Sequence, residues 1–289
     1  MSTADQQFAE HRPLLLGLAY RLLGSMWDAE DVVQDAWLRW TRSDHAQVRE
    51  PRAYLITTVT RLALDVLRSA RVTREAYPGP WLPEPVRTDQ PGPLDTTELR
   101  DSVSIATLHL MERLTPPQRA VFVLREAFAL PYDEIAEIVG TTAANCRQLH
   151  SRASRLLAER GPRFAPSPAA HRELVERFLD AAGSGDLDAL AELLSDDVVS
   201  WNHGGGKVRA SRRPIAGRRN VVAFIAGLLR QYPVEAVVPL EANGEPAVWM
   251  VIGGEEQLVT FGVRDGRIDA IYGIRNPDKL RYARPTVAG

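Results

Sequence analysis

Cysteine is nearly absent from this chain: Cys146 is the only one among 289 residues. A lone thiol excludes an intrachain disulfide and fits a reducing compartment. The six histidines are scattered, and none stands near a cysteine at a metal-ligand spacing, so neither a metal nor another cofactor is expected. No apolar run approaches the roughly 20 residues of a membrane span, and no charged-then-apolar leader opens the sequence. The expectation is a cytoplasmic protein with no membrane partner. An excess of positive charge is missing too. A formal net charge of −2 excludes a uniformly basic nucleic-acid binder, so any such surface must be local.

What is present is unevenly distributed. Residues 78–93 read PGPWLPEPVRTDQPGP, with six prolines and two glycines that no helix or central strand accommodates. A second break, GPRFAPSP, covers 161–168. These divide the chain into a helical block at 5–76, a linker at 77–94, a second helical block at 95–160, a short linker at 161–168 and a third region at 169–283. The length is sufficient for each block to bury a core of its own.

The segment 114–157 has the layout of a DNA-reading helix-turn-helix. Ile135, Ala136, Ile138 and Val139 define a short helix that stops at Gly140, and Thr142 is placed to cap the next one. In that helix Cys146, Leu149, Ala153 and Leu156 are expected to face inward. Arg147, Gln148, Ser151 and Arg155 then point outward, with Arg152 at the margin and no acid from Thr142 to Leu157. Arginine and glutamine suit guanine and adenine edges in a major groove, which makes Arg147, Gln148 and Ser151 the candidate base readers. Arg152 and Arg155 suit phosphates equally well. The plainer alternative is a solvated face on an ordinary bundle.

The first block carries a different chemistry. Ala29, Val32, Val33, Ala36, Trp37 and Trp40 repeat at helical spacing, as do Leu55, Val59, Leu62 and Val66. Asp28, Glu30, Asp31 and Asp35 form an acidic patch beside Trp37 that would repel DNA and suits a protein with basic residues. The same acids could simply stabilise their own helix. Arg61, Arg68, Arg71 and Arg74 form a basic face fit for phosphates, and the polar loop 43–50 could hold an unstacked base.

The third region predicts helices at 171–182, 186–194 and 218–231, followed by alternating segments. Val259, Phe261 and Val263 alternate, Asp265-Gly266 turns the chain, and Ile268, Ala270, Tyr272 and Ile274 alternate again. Helices followed by antiparallel strands predict an α+β domain.

DAEDVVQDAWLRW (28–40), PRAYLITTVTRLALDVLRSAR (51–71) and the helix-turn-helix at 112–157 resemble the extracytoplasmic-function sigma factors of bacterial RNA polymerase. WLPEP (81–85), NHGGGK (202–207) and NPDKL (276–280) resemble the short signatures of the subgroup with a fused C-terminal SnoaL-like, or NTF2-like, domain. The resemblance covers nearly the whole chain. It implies two all-α domains, a sigma-2 bundle and a sigma-4 helix-turn-helix, followed by a cone-shaped α+β barrel. Its implied partners are core RNA polymerase, through the β′ clamp helices and the β flap, and promoter DNA. By position, Asp31, Gln34, Asp35 and Trp37 would bind polymerase. Arg61 and Asp65, with Asp44, His45 and Arg49 of the loop and the arginines 68 and 71, would serve the minus-ten element. Thr142, Arg147, Gln148, Ser151, Arg152 and Arg155 would serve the minus-35 element. The chain departs from many relatives with Arg61 where asparagine is common and Tyr54 where tryptophan is common.

SnoaL-like relatives include enzymes that need a carboxylate or histidine set against a carbon acid. Candidates here are His203, Asp197 and Asp269, with Trp201, Trp249, Phe261 and Tyr272 as pocket or core residues. No spacing makes the three converge, and no catalytic residue is assigned. Control of transcription is the favoured reading. Trp81, Leu82, Pro83, Glu84 and Pro85 of the linker, Gly204, Gly205, Gly206 and Lys207, and the terminal Asn276, Pro277, Asp278, Lys279 and Leu280 are the candidate interdomain regulatory residues. Trp81 is expected to rest on another domain, and the glycines to serve a close backbone approach or a flexible docking loop. A small-molecule or protein signal is expected at this domain. The competing readings are a stand-alone helix-turn-helix regulator, and a DNA-binding module fused to a ligand-sensing or catalytic domain.

Overall fold

A computed structural model describes residues 3–45, 47–75, 79–89, 104–158 and 167–285, with the backbone path alone at residue 3 and at 70–75. Residues 77–78 and 90–94 of the first linker and 161–166 of the second lie outside it, as do the side chains of Arg71 and Arg74. The chain forms two compact units.

The first unit is all-helical. Three helices, α1 (Thr3–Leu23), α2 (Met26–Thr41) and α3 (Pro51–Glu75), pack against one another. Ser25 caps α2 by accepting from the Asp28 amide. From α2, Ala29, Val32, Val33, Ala36 and Trp40 are buried as the spacing predicts, but Trp37 is not: it is 39% exposed, and Trp27 and Leu38 of the same helix are exposed too. The core takes one large ring from this helix. Trp40 occupies that place and donates its indole N–H to the Ala4 carbonyl at 2.9 Å. On α3, Leu55, Val59 and Leu62 are buried and Val66 is half-buried. Four further helices follow, α4 (Ile105–Met111), α5 (Pro116–Glu126), α6 (Tyr132–Val139) and α7 (Ala143–Ala158), and the unit takes them from Leu108 onward. A reciprocal capping box between Thr115 and Gln118 starts α5.

The second unit is α+β. Helices α8 (Pro168–Ser184), α9 (Leu187–Leu193) and α10 (Arg218–Gln231) accompany strands β1 (Leu194–His203), β2 (Ile215–Ala216), β3 (Val234–Ala242), β4 (Glu245–Ile252), β5 (Glu255–Arg264) and β6 (Arg267–Ile274). The six strands form one sheet in the order β2-β1-β6-β5-β4-β3, antiparallel except for β1 beside β6. Leu174, Val175 and Phe178 of α8, Leu190 and Leu193 of α9 and Val221 of α10 share a core with Val248, Phe261 and Ile271 of the sheet. Phe178 and Phe261 meet edge to face, their centroids 5.0 Å apart.

All three hairpins turn on residues with positive φ. Asp265-Gly266 makes the predicted β5–β6 turn, while Asn243-Gly244 and Gly253-Gly254 make the other two. Residues 79–89 also belong to this unit. They are not a free linker, because they pair with the Asn243-Gly244 turn. The Thr88 amide donates to the Glu241 carbonyl (3.0 Å), the Asn243 amide to the Val86 carbonyl (2.9 Å) and the Val86 amide to Asn243 Oδ1 (3.0 Å). On the other side the Arg87 amide donates to the Tyr282 carbonyl. The Pro-rich strap thus supplies partners to the end of β3, an edge strand that would otherwise present open backbone groups there.

Candidate promoter and polymerase interfaces and the strap lock

The helix-turn-helix is built as its sequence signals require. Gly140 adopts the left-handed conformation (φ 75°, ψ 47°) and, with Thr141, returns its amide to the Ala136 carbonyl. Thr142 then accepts from the Asn145 amide at 3.2 Å, starting α7. Cys146 and Ala153 are buried as expected. Leu157 completes the inward face, while Leu149 and Leu156 are only half-buried, because α7 packs on α5 and α6 along a line one residue off the expected stripe. Arg147, Gln148, Ser151, Arg152 and Arg155 are all exposed. Arg152 therefore stands fully on the outer face.

Sequence reasoning passed over the residue that aims this face. The Tyr132 ring lies under two guanidinium groups, Arg125 at 5.0 Å and Arg147 at 5.4 Å. His150 stacks on Phe122 and bonds Glu126 at 2.8 Å, tying α7 to α5. A tyrosine opening the first helix of such a motif, facing an arginine of the second, was the available signal.

On α2, Asp31, Gln34, Asp35 and Trp37 are all exposed. Partial burial first, then the neighbouring carboxylates of Asp28, Asp35 and Glu30, hold the Asp31 pKa above its ordinary value. Like charges crowded beside an exposed indole are relieved by a cationic partner. The loop after α2 is anchored rather than loose. His45 meets Trp40 edge to face at 4.4 Å, Trp40 in turn lies 5.7 Å from Tyr54, and Asp44 accepts from Gln47. Arg49 is exposed.

The basic face of α3 is partly occupied. Arg61 donates from Nε to the Ile138 carbonyl (3.2 Å) and from Nη2 to the Glu137 carbonyl (3.0 Å), at the C-terminal end of α6. Arg61 is exposed and yet engaged, because the helix end offers it a partial negative charge. Arg68 pairs with Asp65 at 3.2 Å on the surface. A second arginine ties the same blocks together: Arg119 donates to the Arg21 carbonyl and pairs with Glu112 at 2.8 Å.

The three short signatures converge in the C-terminal unit. Trp81 is half-buried; its ring meets His203 edge to face at 5.2 Å, and the Lys279 ammonium sits 3.6 Å above its centroid. Lys279 also donates to the Leu82 carbonyl, and His203 Nδ1 bonds the Pro80 carbonyl at 2.9 Å. Leu82, Pro83, Glu84 and Pro85 are buried behind them. The glycine run is a packing device. A Cβ on Gly205, at φ 65°, would lie 2.3 Å from Asn276 Cγ, and one on Gly204 would strike the Val208 carbonyl. Gly206 alone has open space around it. Asn276 receives close approach from this loop, donates its amide to the His203 carbonyl and caps the turn Pro277–Lys279. Lys207 pairs with Asp278, and Leu280 is buried.

The catalytic candidates do not come together. His203 is committed to the strap, whereas Asp197 and Asp269 both pair with Arg264, at 2.6 and 3.2 Å. The Arg264 hydrogen bond holds the Asp197 pKa low, and burial raises that of Asp269. Trp201 stacks on Tyr272 at 5.1 Å, and Trp249, Phe261 and Tyr272 are buried in packing roles. Among the described residues, no group of three His, Cys, Asp or Glu side chains is placed to hold a metal ion, and no helix is long and apolar enough to cross a membrane.

Helical domains with an exposed acidic helix and a helix-turn-helix, followed by an α+β domain, define a transcription-initiating sigma factor with a fused accessory domain. Family models agree: sigma-70 region 2 matches residues 7–73, sigma-70 region 4 matches 104–157 and the SnoaL-like domain matches 175–271. The chain belongs to the ECF RNA polymerase sigma factors. It is 39% identical to the ECF RNA polymerase sigma factor SigJ of Mycobacterium tuberculosis, over 98% of this chain and 97% of that protein. It is 32% identical to the probable ECF RNA polymerase sigma factor SigI of the same species, over 96% and 95%. The crystal structure of M. tuberculosis SigJ superposes with a TM-score of 0.81 at 37% identity, covering 95% of this chain and 97% of that one.

The strap lock carries its own pH dependence. Burial, then the Lys279 charge, lower the His203 pKa from 6.5 to about 4, against the opposing bond to Pro80. Between those values the unfolded chain binds a proton that the folded one does not, so stability is present at neutral pH and is lost as pH falls through that window. His203→Asn keeps a donor near the Nδ1 position without titrating. Calorimetric unfolding at about pH 7.5 and about pH 5 should show the parent losing more stability on acidification than the variant. Equal losses would disprove the assignment.

Proposed function

We propose that the exposed Asp31, Gln34, Asp35 and Trp37 bind the β′ clamp helices of core polymerase, and that the sigma-4 domain reaches the β flap. Arg147, Gln148 and Ser151 read minus-35 bases, while Thr142, Arg152 and Arg155 hold phosphates beside them. The minus-ten element is engaged by the loop residues Asp44, His45 and Arg49 and by Arg61, Asp65, Arg68 and Arg71. The protein acts in the cytoplasm and is not an enzyme. Its C-terminal domain modulates transcription from within the chain. The observation that carries this last reading is the lock of Trp81 between Lys279 and His203. The chain segment joining the two promoter-facing domains is thereby anchored on the third, so a change in that domain alters the freedom of the other two. The domains 5–76, 95–160 and 169–283 are the units of this division of labour.

Charge reversal of Asp31 and Asp35 to arginine should weaken binding to core polymerase by roughly 2–5 kcal/mol, the range for breaking buried charge pairs at an interface. Unchanged affinity in a fluorescence titration would reject the face.

Arg147→Ala and Gln148→Ala should each cost roughly 1–3 kcal/mol on the preferred minus-35 sequence and less on variants. Arg155→Ala should weaken all sequences alike. A panel of promoter variants measured at one salt concentration separates these patterns.

Trp81→Ala removes a ring whose burial is worth roughly 1.5–3 kcal/mol. The full chain should show a larger radius in small-angle scattering and an altered transcription level with purified core polymerase. A variant matching its parent in both would refute modulation through the strap.

A further inference from the structure

The C-terminal domain holds a cavity of about 800 Å³, within the roughly 300–1,000 Å³ range of small-molecule sites. None of the catalytic candidates lines it. Phe224 and Leu228 of α10 and Ile252 at the end of β4 supply an apolar wall. Its charge is one-sided: Arg209, Arg230 and Arg275 line it against a single carboxylate, Glu255.

Arg275 is the focus. Its Nη1 donates to the Arg209 carbonyl at 2.6 Å, and its backbone amide donates to the His203 carbonyl at 2.9 Å, so the guanidinium is held in place. Its Nε is buried without a hydrogen-bond partner. Burial lowers its pKa while Glu255, and then Tyr232, act in the opposite direction; a guanidinium nevertheless stays charged. A fixed arginine that lines a cavity with its Nε unpartnered fits a carboxylate, which accepts from a guanidinium in a charge-assisted bond.

Gly227 lies within α10 and lines the cavity, and a Cβ there would meet no atom within 4 Å. Alanine at this place would favour the helix, so neither steric exclusion nor helix propensity accounts for the glycine.

We propose that this cavity binds a small organic carboxylate, its apolar body against Phe224, Leu228 and Ile252 and its carboxylate on Arg275. The site is one of binding, independent of how the strap influences transcription. The test is calorimetric titration of the full chain with 1-naphthoate and decanoate, and with 1-naphthalenemethanol and decanol as neutral counterparts. Saturable one-to-one binding of at least one carboxylate is expected, with a dissociation constant below about 1 mM and its neutral counterpart about tenfold weaker or worse. Arg275→Gln should weaken the carboxylate about tenfold, and Gly227→Leu should abolish its binding while the thermal unfolding midpoint is kept. If Arg275→Gln does not fold, Gly227→Leu decides alone. Absence of saturable carboxylate binding, equal binding of the neutral counterpart, or binding unchanged in Gly227→Leu would overturn the proposal.

Discussion

A single ammonium group organises the C-terminal domain's grip on the strap. Lys279 is 7% exposed, and burying its charge is costly without compensation. The Trp81 ring and the Leu82 carbonyl provide that compensation, and both come from the strap. Without the strap in place the lysine would lose these two partners, so the buried position of the lysine and the bound position of the strap stand or fall together. The same charge restricts its neighbour. His203 has to stay neutral beside Lys279, which leaves its Nδ1–H free to donate to the Pro80 carbonyl. From that point the chain runs to the Asn243-Gly244 turn, where backbone pairing at Val86 and Thr88 fixes its far end.

The helical unit treats its two arginine-bearing surfaces differently. The α7 face is preformed, with Arg147 resting over Tyr132 and its neighbours exposed. The α3 face is self-engaged, since Arg61 serves the carbonyls that end α6. A cation at a helix C-terminus contributes about 0.3–1 kcal/mol at an exposed site. Phosphate, with its full charge, competes well against that. The contact therefore holds the Arg61 side chain without locking it, and an anion needs only a modest differential affinity to draw it away.

Local signals in the sequence were enough wherever the structure is local. Asp265-Gly266 between alternating runs produced its hairpin, and Gly140 followed by Thr142 produced the break and cap of the helix-turn-helix. Asn243-Gly244 carried an equally plain hairpin signal, yet the sequence reading passed over it. Interactions between distant residues were less legible. Trp37 and Trp40 both fit the apolar stripe of α2, and only the Ala4 carbonyl, 36 residues from Trp40, decides which ring is buried. Proline density at 78–93 excludes helix but says nothing of what the segment lies on; Pro80 and His203 are 123 residues apart. His203, Asp197 and Asp269 illustrate the same limit, because residue type alone could not reveal that Arg264 takes both carboxylates and the strap takes the histidine.

The cavity and the strap share a stretch of backbone. Asn202 and Arg275 line the cavity, and their chain neighbours His203 and Asn276 face the strap lock and its glycine loop. The His203 carbonyl accepts from both the Arg275 and Asn276 amides, so these four residues move as one piece or break those bonds. The cavity wall and the lock therefore meet at one junction, a single residue apart along the chain. A ligand changes the strap equilibrium only by its difference in affinity between the locked and released forms. Arg275 belongs to both sides of the junction, its amide fixed by the His203 carbonyl and its side chain lining the cavity.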